Sequence, residues 1–320
     1  MKKIAQTIMV AAIAATISIA GCKKEDTPSP TSNPTQSTGS ISSLNAFFAH
    51  QGAQSQFFTI DNNSVQAITG AHGTVLTFNA NSFVTQLGGP VTGNITIELK
   101  EIYSKKDMLL SNVSTNAELY PSGPNDALIS GGEFYVSATQ GNAPLKLAPG
   151  QTYGAFLPSA TTPNPAMSLF HGGAISNGIL WGPADSSSTL YASSAPSGYF
   201  ATCDSIYWGN ADCFLSAPNY TTINMNIGGT FDASQIKAYV WYDNSNVVWS
   251  CWTPFNSLTN VYSDNHTATG VPVHLIVISV KNGLLYTSVL ATTVTANAVY
   301  NITMTQTDET TFTNLMSTLP

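Results

Sequence analysis

The chain has 320 residues, with 10 lysines, no arginine and 17 acidic residues, and its formal net charge is −7. Only 8% of the residues are charged. An acidic chain without arginine lacks the cationic surface and the guanidinium forks that bind phosphates and base edges, which argues against a nucleic-acid partner.

The first 21 residues have the pattern of a signal peptide. Lys2 and Lys3 precede an apolar run over residues 8–20, which is too short to span ~30 Å of hydrocarbon. The run ends at Ile19-Ala20-Gly21-Cys22, which resembles a bacterial lipobox, where the chain is cut before the cysteine and the thiol is acylated. We therefore predict a lipoprotein whose first mature residue, Cys22, bears palmitate. The alternative is an ordinary signal with a chance cysteine nearby.

Residues 22–43 are rich in Pro, Ser and Thr and nearly free of apolar side chains. Such a segment cannot bury enough surface to order itself, so we predict a flexible, disordered tether. Its first residues, Lys-Lys-Glu-Asp, resemble the surface-export signal of Bacteroidota-type lipoproteins; the alternative is a solvated start of the tether. The predicted localisation is the bacterial outer membrane, with the chain lipid-anchored and exposed on the cell surface.

Strand patterns dominate residues 44–158, which we predict to be a first β domain. Residues 94–102 alternate for most of their length, with Ile95, Ile97 and Leu99 on one face, which indicates a half-buried strand. Glu98 is expected to face solvent, and Glu101, near the strand end, to pair with a lysine such as Lys105. Helical patterns are nearly confined to residues 43–52 and the tail 308–319.

Residues 159–200 are rich in Pro, Gly and Ser and are predicted to connect two domains. Residues 201–320 then give six short strand patterns, and Asn282-Gly283 between two apolar runs predicts a hairpin. The fold class predicted is all-β: two β-sandwich-like domains that follow the signal peptide and the tether.

Three stretches resemble an uncharacterised family of Bacteroidota outer-membrane lipoproteins: GTVLTFNANSF, GGPVTGNITIELKEIYSKKDMLLSN and SGGEFYVSATQGNAPLKL. MSLFHG, YWGNADCF and VPVHLIVISVKNGLLYTSVLATTV extend the resemblance over most of residues 66–315. The first half also resembles the ZU5 fold, a β-rich module whose implied role is protein–protein contact. Some ZU5 relatives cleave themselves at His-Phe-Ser, a motif that this chain lacks. The resemblance implies no catalytic residues.

Cys203, Cys213 and Cys251 remain after the anchor. An exported chain meets an oxidising compartment, so one disulfide is expected among them. Cys203 with Cys213 would close a short loop, and Cys213 with Cys251 would join two more distant segments. The sequence does not choose between these pairings.

Four aromatic residues within a short segment form the most distinctive local feature: Trp241, Tyr242, Trp249 and Trp252. If they are exposed, they would make a platform for sugar rings. If they are buried, they would supply much of the core of a sandwich. Core is the favoured interpretation, and a glycan platform is the alternative.

No arrangement typical of an enzyme or a metal site emerges from the sequence. The five histidines lie outside recognised catalytic motifs, and His274 lies within an apolar strand pattern. Five aspartates lie in polar stretches without the spacing of a calcium loop, and turn formation explains them: Asp204, Asp212, Asp232, Asp243 and Asp264. We expect no metal and no cofactor.

The sequence predicts a non-enzymatic, surface-exposed lipoprotein that acts as a binding or structural module of the cell envelope. Its partners would be the membrane, through the N-terminal lipid, and an envelope protein or a glycan. One alternative is a glycan-binding accessory lipoprotein of a polysaccharide-uptake system. Another is a hydrolase with a dispersed site.

Overall fold

A computed structural model describes residues 40–118, 125–175, 178–217 and 219–320. The predictions for the signal peptide, Cys22 and the tether up to residue 39 lie outside the described residues. In the part that is described, no helix is long and apolar enough to cross a membrane. The described residues are mostly strand, which confirms the all-β class.

The first 14 strands of the described chain build a two-layer sandwich. They are β1 (Gln56–Asp61), β2 (Gln66–Thr69), β3 (Val75–Phe78), β4 (Phe83–Thr85), β5 (Asn94–Ile102), β6 (Asn116–Glu118), β7 (Asn125–Gln140), β8 (Ala143–Leu147), β9 (Tyr153–Pro158), β10 (Ser168–Ile175), β11 (Gly178–Pro183), β12 (Thr189–Ser194), β13 (Ser197–Cys203) and β14 (Tyr207–Phe214).

These strands form two sheets. Sheet I has nine strands, with β1-β5-β7-β14-β10-β11-β6 as its main order and β8 and β4 beside β7. Sheet II has five strands in the order β12-β13-β9-β3-β2. The predicted alternation in β5 is confirmed, because Ile95, Ile97 and Leu99 are buried between the two sheets.

The remaining eight strands build a second sandwich. They are β15 (Tyr220–Ile227), β16 (Ile236–Tyr242), β17 (Val247–Ser250), β18 (Val261–Ala268), β19 (Pro272–Lys281), β20 (Leu284–Thr293), β21 (Val299–Ile302) and β22 (Thr305–Thr307). Sheet III has the order β18-β15-β21, and sheet IV has the order β17-β16-β19-β20-β22. Asn282 and Gly283 both have positive φ in the turn between β19 and β20, as the hairpin prediction requires.

Three short helices pack between the sandwiches. They are α1 (Leu44–Gln51), α2 (Lys105–Leu110) and α3 (Glu309–Met316). Ser43, Ser104 and Asp308 cap them, each accepting a hydrogen bond from a backbone N–H in the first turn. The helices share one apolar core with the outer face of sheet I and with sheet IV.

The segment 159–200, predicted as a connection between domains, instead contains β10, β11, β12 and part of β13. The first sandwich therefore extends to Phe214. The strands there contain several Gly and Ser residues and few large apolar ones, so their sequence resembles a loop.

Glu101 does not pair with a lysine, contrary to the prediction from the sequence. It is 3% exposed and accepts hydrogen bonds from Gln56 Nε2 and from the backbone N–H groups of His72 and Thr74. Burial raises the pKa of its carboxyl, but these hydrogen bonds outweigh burial and leave the pKa below its ordinary value. Lys105 contacts backbone oxygens of Tyr242 and Pro320 instead.

Candidate functional site

The outer face of sheet II stands out by its chemistry. None of its five strands contains Asp, Glu, Lys, Arg or His. Their inward side chains, such as Leu76, Tyr153 and Leu157, fill the core against sheet I. The outward side chains are aromatic, hydroxyl-bearing or small, and we call this surface the aromatic–threonine face. It comprises Ala67, Thr69, Val75, Thr77, Gly154, Phe156, Pro158, Thr189, Tyr191, Ser193, Gly198, Phe200 and Thr202.

An aromatic row crosses the middle of this face. The register places Phe156 opposite Phe200, and Phe200 opposite Tyr191, on three neighbouring strands. The ring centroids are 4.8 Å apart for Phe156 and Phe200 and 5.2 Å apart for Phe200 and Tyr191. Tyr191, on the edge strand β12, is 61% exposed, while both phenylalanines are half-buried. Apolar surface that is continuous between neighbouring strands is a candidate contact surface for a ligand.

Hydroxyl groups and glycines flank the aromatic row. Thr77, Gly154, Thr202 and Thr189 form the neighbouring row across β3, β9, β13 and β12. On the other side Gly198 lets the Phe156 ring lie against β13, since a Cβ at Gly198 would be 2.7 Å from that ring. The face therefore offers apolar rings beside hydroxyl donors and acceptors, with no formal charge.

A cleft of about 710 Å³ opens at the end of this face, where β9 ends at Pro158. Tyr103, Tyr199, Asn164 and Asn246 are among the residues that line it. Burial raises the pKa of both tyrosine hydroxyls, so they stay neutral. The Tyr199 hydroxyl accepts a hydrogen bond from Asn164 N at 2.8 Å, and the Tyr103 hydroxyl lies 2.7 Å from Thr74 Oγ1. The cleft thus continues the face, with His72 and the two tyrosines as the titratable side chains of its lining.

A second aromatic group lies on sheet I and has a different setting. The rings of Tyr135 and Trp208 are 5.0 Å apart, and Tyr207 is 47% exposed beside them. Glu98 and Lys100 lie on the neighbouring strand β5, so this surface is charged. Tyr207 is therefore an exposed tyrosine in a charged setting, and changing it is a suitable control for changing Tyr191.

The four aromatic residues considered as a glycan platform do not form an exposed surface. Trp241, Tyr242 and Trp249 are at most 3% exposed, and Trp252 is partly buried. Trp241 Nε1 donates to Pro320 O at 2.8 Å, and Trp249 Nε1 donates to Asp264 Oδ1 at 2.8 Å. The strands β16 and β17 are buried on both faces, because sheet III covers one and the helix layer covers the other.

The expected disulfide is absent among the described cysteines. Cys203, Cys213 and Cys251 are all free thiols. Cys203 lies on sheet II and Cys213 on the opposing sheet I, while Cys251 lies in the core of the second sandwich. Cys203 and Cys213 thus pack against the same core from opposite sheets, Cys251 lies in another core, and burial raises the pKa of all three thiols.

Four of the described histidines contact carboxylates. The pairs are His50–Glu309, His171–Asp204, His266–Asp126 and His274–Asp243. Ser205 Oγ lies 3.5 Å from both ring nitrogens of His171, and Asp204 contacts the Nε2 atom of the same ring at 3.8 Å. A nucleophile and an orienting acid need opposite nitrogens at hydrogen-bond distance, so this group does not make a triad.

The described residues contain no group of three or more His, Cys, Asp or Glu side chains suited to a metal ion. Four of the five aspartates considered as calcium ligands are at turns or pair with neighbouring side chains, as Asp232 does with Ser234. Asp212 is the exception: it is fully buried in β14.

Sequence reasoning missed the aromatic–threonine face. Its residues come from strands far apart in the chain, two of them in the segment predicted as a connection. The signal available was compositional: charged residues are absent from all five strands while Thr, Gly and aromatic residues recur. Comparison with protein-family models and with curated proteins finds no match for this chain.

Proposed function

We propose that this chain is a non-enzymatic binding lipoprotein of the bacterial outer membrane, anchored by a lipid on Cys22 and exposed on the cell surface. Its ligand is a neutral polysaccharide that lies on the aromatic–threonine face. The observation that supports this most directly is the row of Phe156, Phe200 and Tyr191 on a face without charged side chains.

The chemistry of the face fits a sugar chain. The C–H groups on the apolar side of a pyranose ring pack against aromatic rings, whose faces carry partial negative charge. The threonine hydroxyls beside the row can exchange hydrogen bonds with sugar hydroxyls, which are themselves both donors and acceptors. An acidic polysaccharide would find no cation on this face, so a neutral glycan is the better partner.

The cleft beside Pro158 supports the same ligand class. Its lining combines tyrosine rings with amide and hydroxyl groups, and it lies where the outward residues of β9 end. Binding sites of this kind are concave, largely apolar and supplied with a few fixed polar groups.

The test is affinity electrophoresis of the full chain, purified in detergent, through gels that contain neutral glucans, mannans or xylans. We expect retardation by at least one neutral polysaccharide and none by an acidic one. Tyr191→Ala is expected to weaken binding by about tenfold, since loss of one stacked ring is worth about 1 kcal/mol or more. Phe156→Ala should act in the same direction.

Tyr207→Ala is the matched control, because Tyr207 is also an exposed tyrosine but lies on sheet I. Its binding should equal that of the unaltered chain. Passage of the unaltered chain through every neutral polysaccharide without retardation would refute the proposal. An equal loss of binding in the Tyr191 and Tyr207 variants would also refute it.

A further inference from the structure

Two acidic side chains are fully buried in sheet I, on the side that faces the helices. Glu133 and Asp212 are both 0% exposed. Glu133 lies opposite Ile102 of β5, which belongs to the core shared with the helices, while the next residue, Phe134, faces the sandwich core. Asp212 lies on β14 opposite Ser130 of β7, just beyond a register shift that follows Asn210.

These carboxyl groups lack the partners that buried acids need. Both oxygens of Asp212 and the Oε2 atom of Glu133 have no hydrogen-bond partner among the described residues. Asn210 Nδ2 donates to Glu133 Oε1 at 3.3 Å. The Ser130 hydroxyl donates to Asn210 Oδ1 at 2.9 Å, and its contact with Asp212 opposes, without outweighing, the rise in the pKa of Asp212 that burial causes.

The two lysines of α2, the helix that packs against this face, do not neutralise the two acids. Lys105 Nζ contacts the backbone oxygens of Tyr242, Asp243 and Pro320, and Lys106 donates to Ser317. Burial raises the pKa of Glu133 and of Asp212, and for Glu133 the nearby charges of Asp212 and Asp107 raise it further. A buried, unpaired carboxylate is strongly destabilising, so another group must compensate for it.

Protonation alone does not resolve the arrangement. A single proton shared between the two carboxyl groups would pair at most two of the three unpartnered oxygens. A bound cation would give every one of these oxygens a partner, because each oxygen would then coordinate the cation.

We propose that Glu133 and Asp212 bind one divalent cation, Ca²⁺, at the interface between sheet I and the helix layer. The Ser130 hydroxyl lies at Asp212 and can add a neutral oxygen ligand, while the Asn210 side chain links Ser130 to Glu133. The charge of the two carboxylates matches a divalent ion. Carboxylate, hydroxyl and amide oxygens suit Ca²⁺, whereas zinc and copper prefer nitrogen and sulfur. Mg²⁺ keeps several of its waters, which a fully buried pair of acids does not accommodate.

The test is equilibrium dialysis of the chelator-treated full chain against Ca²⁺, followed by thermal unfolding. We expect one Ca²⁺ per chain and a melting temperature about 5 °C higher when Ca²⁺ is present at a hundredfold excess over its dissociation constant. Mg²⁺ at the same concentration is expected to raise it less. Asp212→Asn should abolish the calcium-dependent shift, and Glu133→Gln should weaken calcium binding at least tenfold.

Asp232→Asn is the control, since Asp232 is an acid in an exposed turn. This variant should keep the full calcium-dependent increase in melting temperature. Failure of the unaltered chain to bind Ca²⁺ in dialysis would overturn the proposal, whatever the variants do. So would a full calcium shift in Asp212→Asn, or equal stabilisation by Mg²⁺.

Discussion

At the scale of single residues, small side chains decide how the large ones pack. Gly172 on β10 lies opposite Trp208 on one neighbouring strand and opposite Trp181 on the other. A Cβ at Gly172 would come within 2.6 Å of Trp208 Cβ and within 2.8 Å of the Trp181 ring. The two indoles, which meet edge to face with centroids 6.3 Å apart, therefore depend on the glycine between them.

Gly172→Ala is expected to lower the free energy of unfolding by about 1–3 kcal/mol, because the added methyl group must displace packed rings. Gly182→Ala is the control: no atom lies within 4 Å of a Cβ there. Its free energy of unfolding should stay within about 0.5 kcal/mol of the original. Chemical denaturation measures both values, and equal effects would contradict the packing account.

At the scale of elements, α1 is short but central. Phe47 is fully buried, and its ring lies 6.0 Å from that of Phe312 on α3. His50 Nδ1 lies 2.7 Å from Glu309 Oε2, which joins the same two helices at their polar side. An isolated helix of eight residues is not stable in water, so tertiary packing must supply the stability of α1.

Phe47→Ala is expected to cost about 3–5 kcal/mol of unfolding free energy, since it leaves a cavity among the helices. Asn45→Ala, on the exposed side of the same helix, is expected to change stability by less than about 0.5 kcal/mol. Chemical denaturation of the two variants separates the contribution of Phe47 packing from that of helix propensity. Similar losses in both variants would show that α1 contributes through its backbone alone.

The sequence predicted the elements whose information is local. The β5 alternation, the Asn282-Gly283 turn and the helix in the tail 308–319 all follow from residues within one turn or strand of each other. The Glu101 contacts and the aromatic–threonine face depend on register between distant strands. The hydrophobic periodicity of the sequence does not show which distant strands pair or in what register. Neither the Glu101 contacts nor the aromatic–threonine face could therefore be predicted.

At the scale of the whole molecule, the two sandwiches share an interior. The described residues belong to one compact unit, and the helix layer joins sheet I to sheet IV. Asn116 of β6 exchanges two hydrogen bonds with the backbone of Ser250, the last residue of β17, each 2.8 Å long. Thr115 N also donates to Val248 O at 2.8 Å.

We therefore expect a single cooperative transition when the full chain is heated in a calorimeter. A chain limited to residues 219–320 is expected to aggregate or remain unfolded, since it would expose Tyr239, Trp241 and Ile276, which the helix layer covers. Two separate transitions, or a stable fold for residues 219–320, would show that the sandwiches are independent.

The charge-free character of the aromatic–threonine face has a consequence for the kinetics of binding. Salt screens only the attraction between charges, and this face has none to screen. Association with a neutral ligand should therefore proceed without electrostatic steering, and its rate and affinity should be nearly independent of ionic strength. Retention of the ligand then depends on how slowly it dissociates from the rings of Phe156, Phe200 and Tyr191.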